Sequence, residues 1–183
     1  MKQYTNEDIN IALPKIKVGL DKYCEIQRLF DKVNINLDKS FQKKFNGFYR
    51  VRRNEQWRNI FFELMENSRN DKNIKFENIL NILKNETNRI EASFTSKLIA
   101  TINTDLPVLD SFVLNNMNLS LPIYSSKDRV QKTVEIYDEL IKKMNELKNS
   151  DNGKYMILKF KEFYPDYIVS EMKMLDLILW QSR

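Results

Sequence analysis

Apolar residues recur along most of the chain at intervals of three and four, the spacing of an amphipathic helix. Thr5-Asn6-Glu7-Asp8 reads as a helix start, with Thr5 as N-cap and acidic residues in the first turn. Pro14 fits the first turn of a second helix, whose stripe is Ile16, Leu20, Tyr23, Ile26 and Phe30. Val33 to Asp38 reads as a loop, and Ser40 to Phe48 as a short helix ended by Gly47. Asn54 then caps a helix running to Ser68, with Trp57, Phe61, Leu64 and Met65 inward. After a turn at Asn70-Asp71-Lys72-Asn73, Phe76, Ile79, Leu80 and Leu83 mark the next helix.

The second half follows the same grammar. Ser93 to Ile102 predicts a helix, broken at Asn103-Thr104-Asp105-Leu106-Pro107, and a short one follows over Leu109 to Asn116. Leu121-Pro122 is a loop. The longest helix is expected from Ser126 to Lys148, with Val130, Val134, Tyr137, Ile141 and Met144 inward. Asp151-Asn152-Gly153 reads as a turn, and Lys154 to Tyr164 as a helix stopped by Pro165. Ser170 caps a last helix that is apolar nearly all round, as a central buried helix would be. These elements predict an all-α protein, one domain over residues 1–183, with eight to ten helices in a single orthogonal or bundle-like array.

Composition agrees with this and narrows the chemistry. Three glycines and four prolines in 183 residues are too few for the turns of a sandwich or a Rossmann-type sheet. With no histidine, the chain cannot run Ser-His-Asp or Cys-His catalysis or hold a metal through imidazole. Cys24 is the single cysteine, so a disulfide framework and a thiolate zinc site are both excluded within one chain. No cofactor is implied. A lone cysteine, no secretory signal after Met1 and no long apolar run suggest a cytoplasmic protein outside the membrane.

The net charge of +5 is concentrated. Between Asp31 and Ile60, eight basic residues (Lys32, Lys39, Lys43, Lys44, Arg50, Arg52, Arg53, Arg58) face three acidic ones, Asp31, Asp38 and Glu55. That window therefore carries the whole +5, and a local surplus of this kind attracts a polyanion or an acidic protein surface. Within it, Phe48-Tyr49-Arg50-Val51-Arg52-Arg53-Asn54-Glu55-Gln56-Trp57-Arg58 interleaves guanidiniums with aromatic rings. Guanidiniums fork onto phosphates, and rings stack on bases or wedge between them. Arg50, Arg52, Arg53, Trp57, Arg58, Lys43 and Lys44 are thus the candidate DNA contacts. The plainer alternative makes Trp57 and Phe61 core residues and pairs Arg50 and Arg53 with acidic neighbours or leaves them in water.

A second constellation spans Ile90 to Leu119. Lys97 opens the apolar stretch Leu98-Ile99-Ala100, a proline-containing loop follows, and Pro107-Val108-Leu109-Asp110-Ser111-Phe112-Val113 leads into the next helix. This pattern resembles the core motif of the helix-hairpin-helix (HhH-GPD) DNA glycosylases, with Lys97 at the family's lysine and Asp110 at its catalytic aspartate. The family's glycine-rich hairpin has no counterpart in Ile90 to Ser96, one extra residue separates Pro-Val from Asp110, and no histidine follows it.

The resemblance implies a DNA-binding protein of glycosylase-like fold, a hydrolase of the N-glycosidic bond in damaged DNA, with duplex DNA as partner. Asp110 would then stabilise positive charge on the deoxyribose or activate water, and Lys97 could form a Schiff base. A different reading takes Asp110 as a helix cap and Lys97 as a solvated residue. The protein is then a non-catalytic adaptor or regulator whose basic patch binds an acidic protein.

Two further carboxylate features are structural in character. Glu135, Asp138, Glu139 and Glu146 alternate with Lys132, Lys142, Lys143 and Lys148, as on a solvated, ion-paired helix face. Asp176 stands in the apolar last helix and needs a buried partner, expected to be an arginine or a tyrosine.

Overall fold

A computed structural model describes residues 4–71 and 73–182; Lys72 of the expected turn and the first three residues of the chain lie outside them. Among the described residues the chain forms nine α-helices and no strand. They are α1 (Asn6–Phe30), α2 (Lys39–Tyr49), α3 (Glu55–Ser68), α4 (Phe76–Thr87), α5 (Ala92–Ile102), α6 (Ser111–Asn116), α7 (Arg129–Asn149), α8 (Asp151–Phe163) and α9 (Glu171–Gln181). No helix among the described residues is long and apolar enough to cross a membrane. The fold is all-α.

The chain divides into two units. One joins the described residues of Met1–Lys17 to Thr104–Arg183; the other is Val18–Asn103. The first part of α1 belongs to the former and its remainder to the latter.

Helix starts follow local side-chain chemistry. Thr5 Oγ accepts from the Asp8 amide at 3.1 Å while the Asp8 carboxylate accepts from the Thr5 amide at 3.0 Å, a reciprocal box that satisfies orphan donors. Asn54 caps α3 by accepting from the Trp57 amide, and Ser170 caps α9 by accepting from the Lys173 amide.

Proline 14 does not begin a new helix; it lies inside α1. Burial explains this. Ile9, Leu13, Ile16, Leu20, Tyr23, Ile26 and Phe30 form one buried stripe on both sides of Pro14. Burying that stripe outweighs an interior proline's cost of about 3 kcal/mol. At 25 residues α1, not α7 at 21, is the longest helix.

Gly47 likewise does not end α2. The helix continues to Tyr49 and closes at Arg50, whose φ of 53° is left-handed, with the Val51 amide donating to the Asn46 carbonyl at 2.9 Å. Glycine is the usual residue there.

In the Val18–Asn103 unit the core is aromatic. The rings of Phe41, Phe45, Phe61 and Phe62 are fully buried and contact one another, with Phe45 to Phe61 and Phe45 to Phe62 both at 5.6 Å between centroids. The Val33–Asp38 loop is pinned from outside itself. Arg69 donates to the Val33 and Phe30 carbonyls, Glu66 accepts from the Ile35 amide, and Gln42 donates to the Ile35 and Asn36 carbonyls.

In the other unit α9 is central, packing on α6, α7 and α8, with Met172 through Leu179 all buried. Asp176 does find a buried partner, but it is Lys173, one turn back, at 2.6 Å rather than an arginine or tyrosine. The inward stripe of α7 is Thr133, Tyr137, Leu140, Met144 and Leu147; Val130, Val134 and Ile141 are half-buried. Two overlapping apolar stripes share Tyr137 and Met144, and the junction with α8 selects the one ending in Leu147. Ser150 closes α7 and caps α8, accepting from the Gly153 amide at 3.1 Å and donating to the Leu147 carbonyl at 2.7 Å. The turn is therefore Ser150 alone, and Asp151-Asn152-Gly153 is already helical. Gly153 serves close approach, since a β-carbon there would stand 1.8 Å from the Leu147 carbonyl oxygen.

Candidate nucleic-acid interface

The left-handed turn at Arg50 decides how the Arg-rich segment is presented. Between α2 and α3, Arg50 and Arg52 are exposed while Val51 is buried. Among the described residues neither Arg50 nor Arg52 has a carboxylate within ion-pair distance. Lys43, on the outer side of α2, is also exposed, whereas Lys44 pairs with Glu25 at 2.9 Å.

Arg53, by contrast, is ion-paired. Its Nε and Nη2 donate to the two oxygens of Glu91, each at 3.1 Å, and its guanidinium lies over the rings of Trp57 and Phe94. Glu91 is only 5% exposed, so the pair neutralises a carboxylate that burial would otherwise penalise heavily. Arg58 donates from Nη1 to the Arg53 carbonyl and helps hold the linker.

Trp57 is a core residue, 5% exposed, stacked on Phe61 at 5.0 Å and touching Phe94 at 4.9 Å. A ring packed this way is not presented as a wedge between bases. Of the seven candidate contacts, Lys43, Arg50 and Arg52 face solvent without a resident anion, Lys44 shares Glu25, Arg53 and Arg58 brace the linker, and Trp57 supports it from within.

Glu91 was not singled out by the sequence, and neither was Arg89. Arg89 Nε reaches Glu91 Oε1 at 3.5 Å with 62% of its side chain exposed. No local signal announces this meeting, because Arg53 and Glu91 are 38 positions apart.

The two expected catalytic residues fall in different units, Lys97 in Val18–Asn103 and Asp110 in the other. Lys97 is half-buried on α5, its ammonium 5.0 Å from the Phe94 ring centroid and 5.8 Å from that of Tyr49. Cation–π contact of this kind joins it to the aromatic support of the Arg-rich linker. Asp110 caps the six-residue α6, Oδ1 accepting from the Phe112 amide at 2.9 Å, and is half-buried. Residues 92–96 belong to α5 itself; the connection from α4 is residues 88–91, with Asn88 left-handed at φ 55°.

On the face of α7, Lys142 and Lys143 both pair with Glu139, the i,i+3 and i,i+4 contacts expected of a solvated helix. Compared with protein-family models, curated proteins and solved structures, the chain matches none.

Proposed function

We propose that the protein binds duplex DNA through the α2–α3 linker, with Arg50 and Arg52 as the principal phosphate contacts and Lys43 beside them. One observation carries this reading: two exposed guanidiniums flank a buried Val51 on a short, braced linker and have no carboxylate of their own. Arginine on a held backbone offers phosphate its planar fork at low entropic cost. Arg53, Arg58 and Trp57 act in this proposal as the support that keeps the linker in place. The test is binding of a labelled duplex across a salt series by wild type and by variants at Arg50 and Arg52.

Base excision is a separate step of the proposal and rests on Asp110 alone. Base release from oligonucleotides carrying damaged bases, compared between wild type and Asp110→Asn, decides it. Equal release by the two proteins, or release by neither, removes the enzymatic reading and leaves DNA binding standing.

A second reading has its own observation. The Arg53–Glu91 fork is a carboxylate already recognised by this segment, and an acidic protein partner would offer the same group. The salt series separates the two, because displacement of condensed counterions from a duplex gives a steep linear dependence.

A further inference from the structure

We infer that the DNA-contacting surface is composite, and that Arg89, on the turn between α4 and α5, is a further phosphate contact joined to the α2–α3 linker through Glu91. The inference rests on the DNA-binding reading and extends it to a residue outside the basic window of the sequence.

Three observations carry it. First, Arg53 and Arg89 converge on the same oxygen, Oε1 of Glu91, at 3.1 and 3.5 Å, so two guanidiniums share one carboxylate. One negative charge cannot neutralise two positive ones, so these three side chains together carry a net positive charge. Second, the two arginines divide the carboxylate unequally. Arg53 takes both oxygens and is 29% exposed, while Arg89 makes the longer, single contact and is 62% exposed. The guanidinium with donors to spare is therefore the one that faces solvent. Third, Asn88 is left-handed, which ends α4 and starts the short turn that carries Arg89 to this junction. Arg52 precedes Arg53 directly in the chain, so the same carboxylate ties the exposed arginine of one connection to that of another.

The chemistry fits a phosphodiester. A long, exposed ion pair is easily exchanged, and a phosphate oxygen can replace or join the carboxylate on the Arg89 fork. Glu91, buried and held by Arg53, keeps the approach path fixed.

The experiment measures binding of a fluorescein-labelled duplex by fluorescence anisotropy across a salt series, for wild type, Arg89→Ala, Arg89→Lys and Arg52→Ala. Thermal unfolding of each variant confirms that it is folded. The expected result is a several-fold weaker affinity for Arg89→Ala, with the log–log salt slope lowered in magnitude by about one. Arg89→Lys should keep the slope, because it keeps the charge. If Arg89→Ala binds with wild-type affinity and slope while Arg52→Ala is impaired, the composite surface is overturned and the DNA reading survives. If wild type shows no salt-dependent binding to the duplex, both fall together.

Discussion

Arg53 and Glu91 meet as a two-pronged ion pair, Nε to Oε1 and Nη2 to Oε2, both at 3.1 Å. The pair connects the α2–α3 linker to the start of α5, and the Arg53 guanidinium packs on Phe94 from the same helix. Because Glu91 is nearly buried, removing it leaves Arg53 with a charge and no counter-ion. Glu91→Ala should lower the stability of the chain by about 2–3 kcal/mol, at the low end for a buried pair because Arg53 keeps some access to water. Urea unfolding of Glu91→Ala, Arg53→Ala and the double variant measures the coupling. Additive losses would mean that the fork contributes nothing as a pair.

Arg50 occupies a backbone conformation that favours glycine. With φ at 53°, its β-carbon crowds the backbone, while glycine would avoid that strain at the cost of a freer unfolded chain. Arg50→Gly is therefore expected to raise stability by about 0.5–1 kcal/mol. The same change deletes one proposed phosphate contact, so on the DNA-binding proposal duplex affinity should fall as the melting temperature rises. Parallel melting and binding curves check this opposition, and a variant that gains stability with unchanged affinity would remove Arg50 from the surface.

Gly47 and Gly153 make a contrasting pair. A β-carbon on Gly47 would meet nothing within 4 Å, and its φ is not positive, so Gly47→Ala should stabilise α2 by about 0.5–1 kcal/mol. At Gly153 the added carbon strikes backbone rather than a movable side chain, and Gly153→Ala should cost about 3 kcal/mol. Thermal unfolding of the two variants should therefore shift in opposite directions.

Tyr137 gives the fold an alkaline limit. Burial, and then the nearby Asp138 and Asp176, hold its phenol protonated far beyond the range of a free tyrosine. The hydroxyl donates to the Pro107 carbonyl at 2.9 Å. A folded state that keeps its proton while the unfolded tyrosine loses one is destabilised as pH rises above the unfolded value of about 10. Below that pH the contribution is fully present, and Tyr137→Phe should be less stable by about 1–2 kcal/mol through the lost hydrogen bond. Above it, wild type should lose its advantage and the gap should narrow. Unfolding midpoints at pH 8 and above pH 10 test this, and a gap independent of pH would contradict it.

Much of the fold is written locally. Thr5, Asn54 and Ser170 each cap the helix they precede, because a short polar side chain can satisfy an orphan amide regardless of distant packing. The stripes of α1 and α4 are readable for the same reason, a periodicity that needs no partner. What a local reading misses is set by contacts far along the chain. Pro14 is tolerated inside α1 because the whole stripe is buried, and α7 turns Leu140 and Leu147 inward because it must meet α8 and α9. Gly47 looks like a stop and is not one, since Arg50 takes the left-handed position instead.

The candidate site divides along the same line. The charge surplus of the Arg-rich window is visible in composition, but which of its basic side chains stay available depends on Glu91, which takes Arg53, and Glu25, which takes Lys44, neither predictable from spacing. Trp57 stands both in the Arg-rich run and on the inward stripe of its helix, and the stack on Phe61 and the contact with Phe94 decide for the stripe. Asp110 could be read as a cap from its place before Ser111, and it caps α6.

The most direct test of a DNA-binding linker is the slope of log affinity against log salt for a duplex, measured for wild type and for the Arg50→Ala/Arg52→Ala double variant. Losing the two proposed phosphate contacts should make the slope shallower by about two and weaken binding at every salt concentration, with the fold intact. An identical slope and affinity for the two proteins would contradict the assignment of this linker.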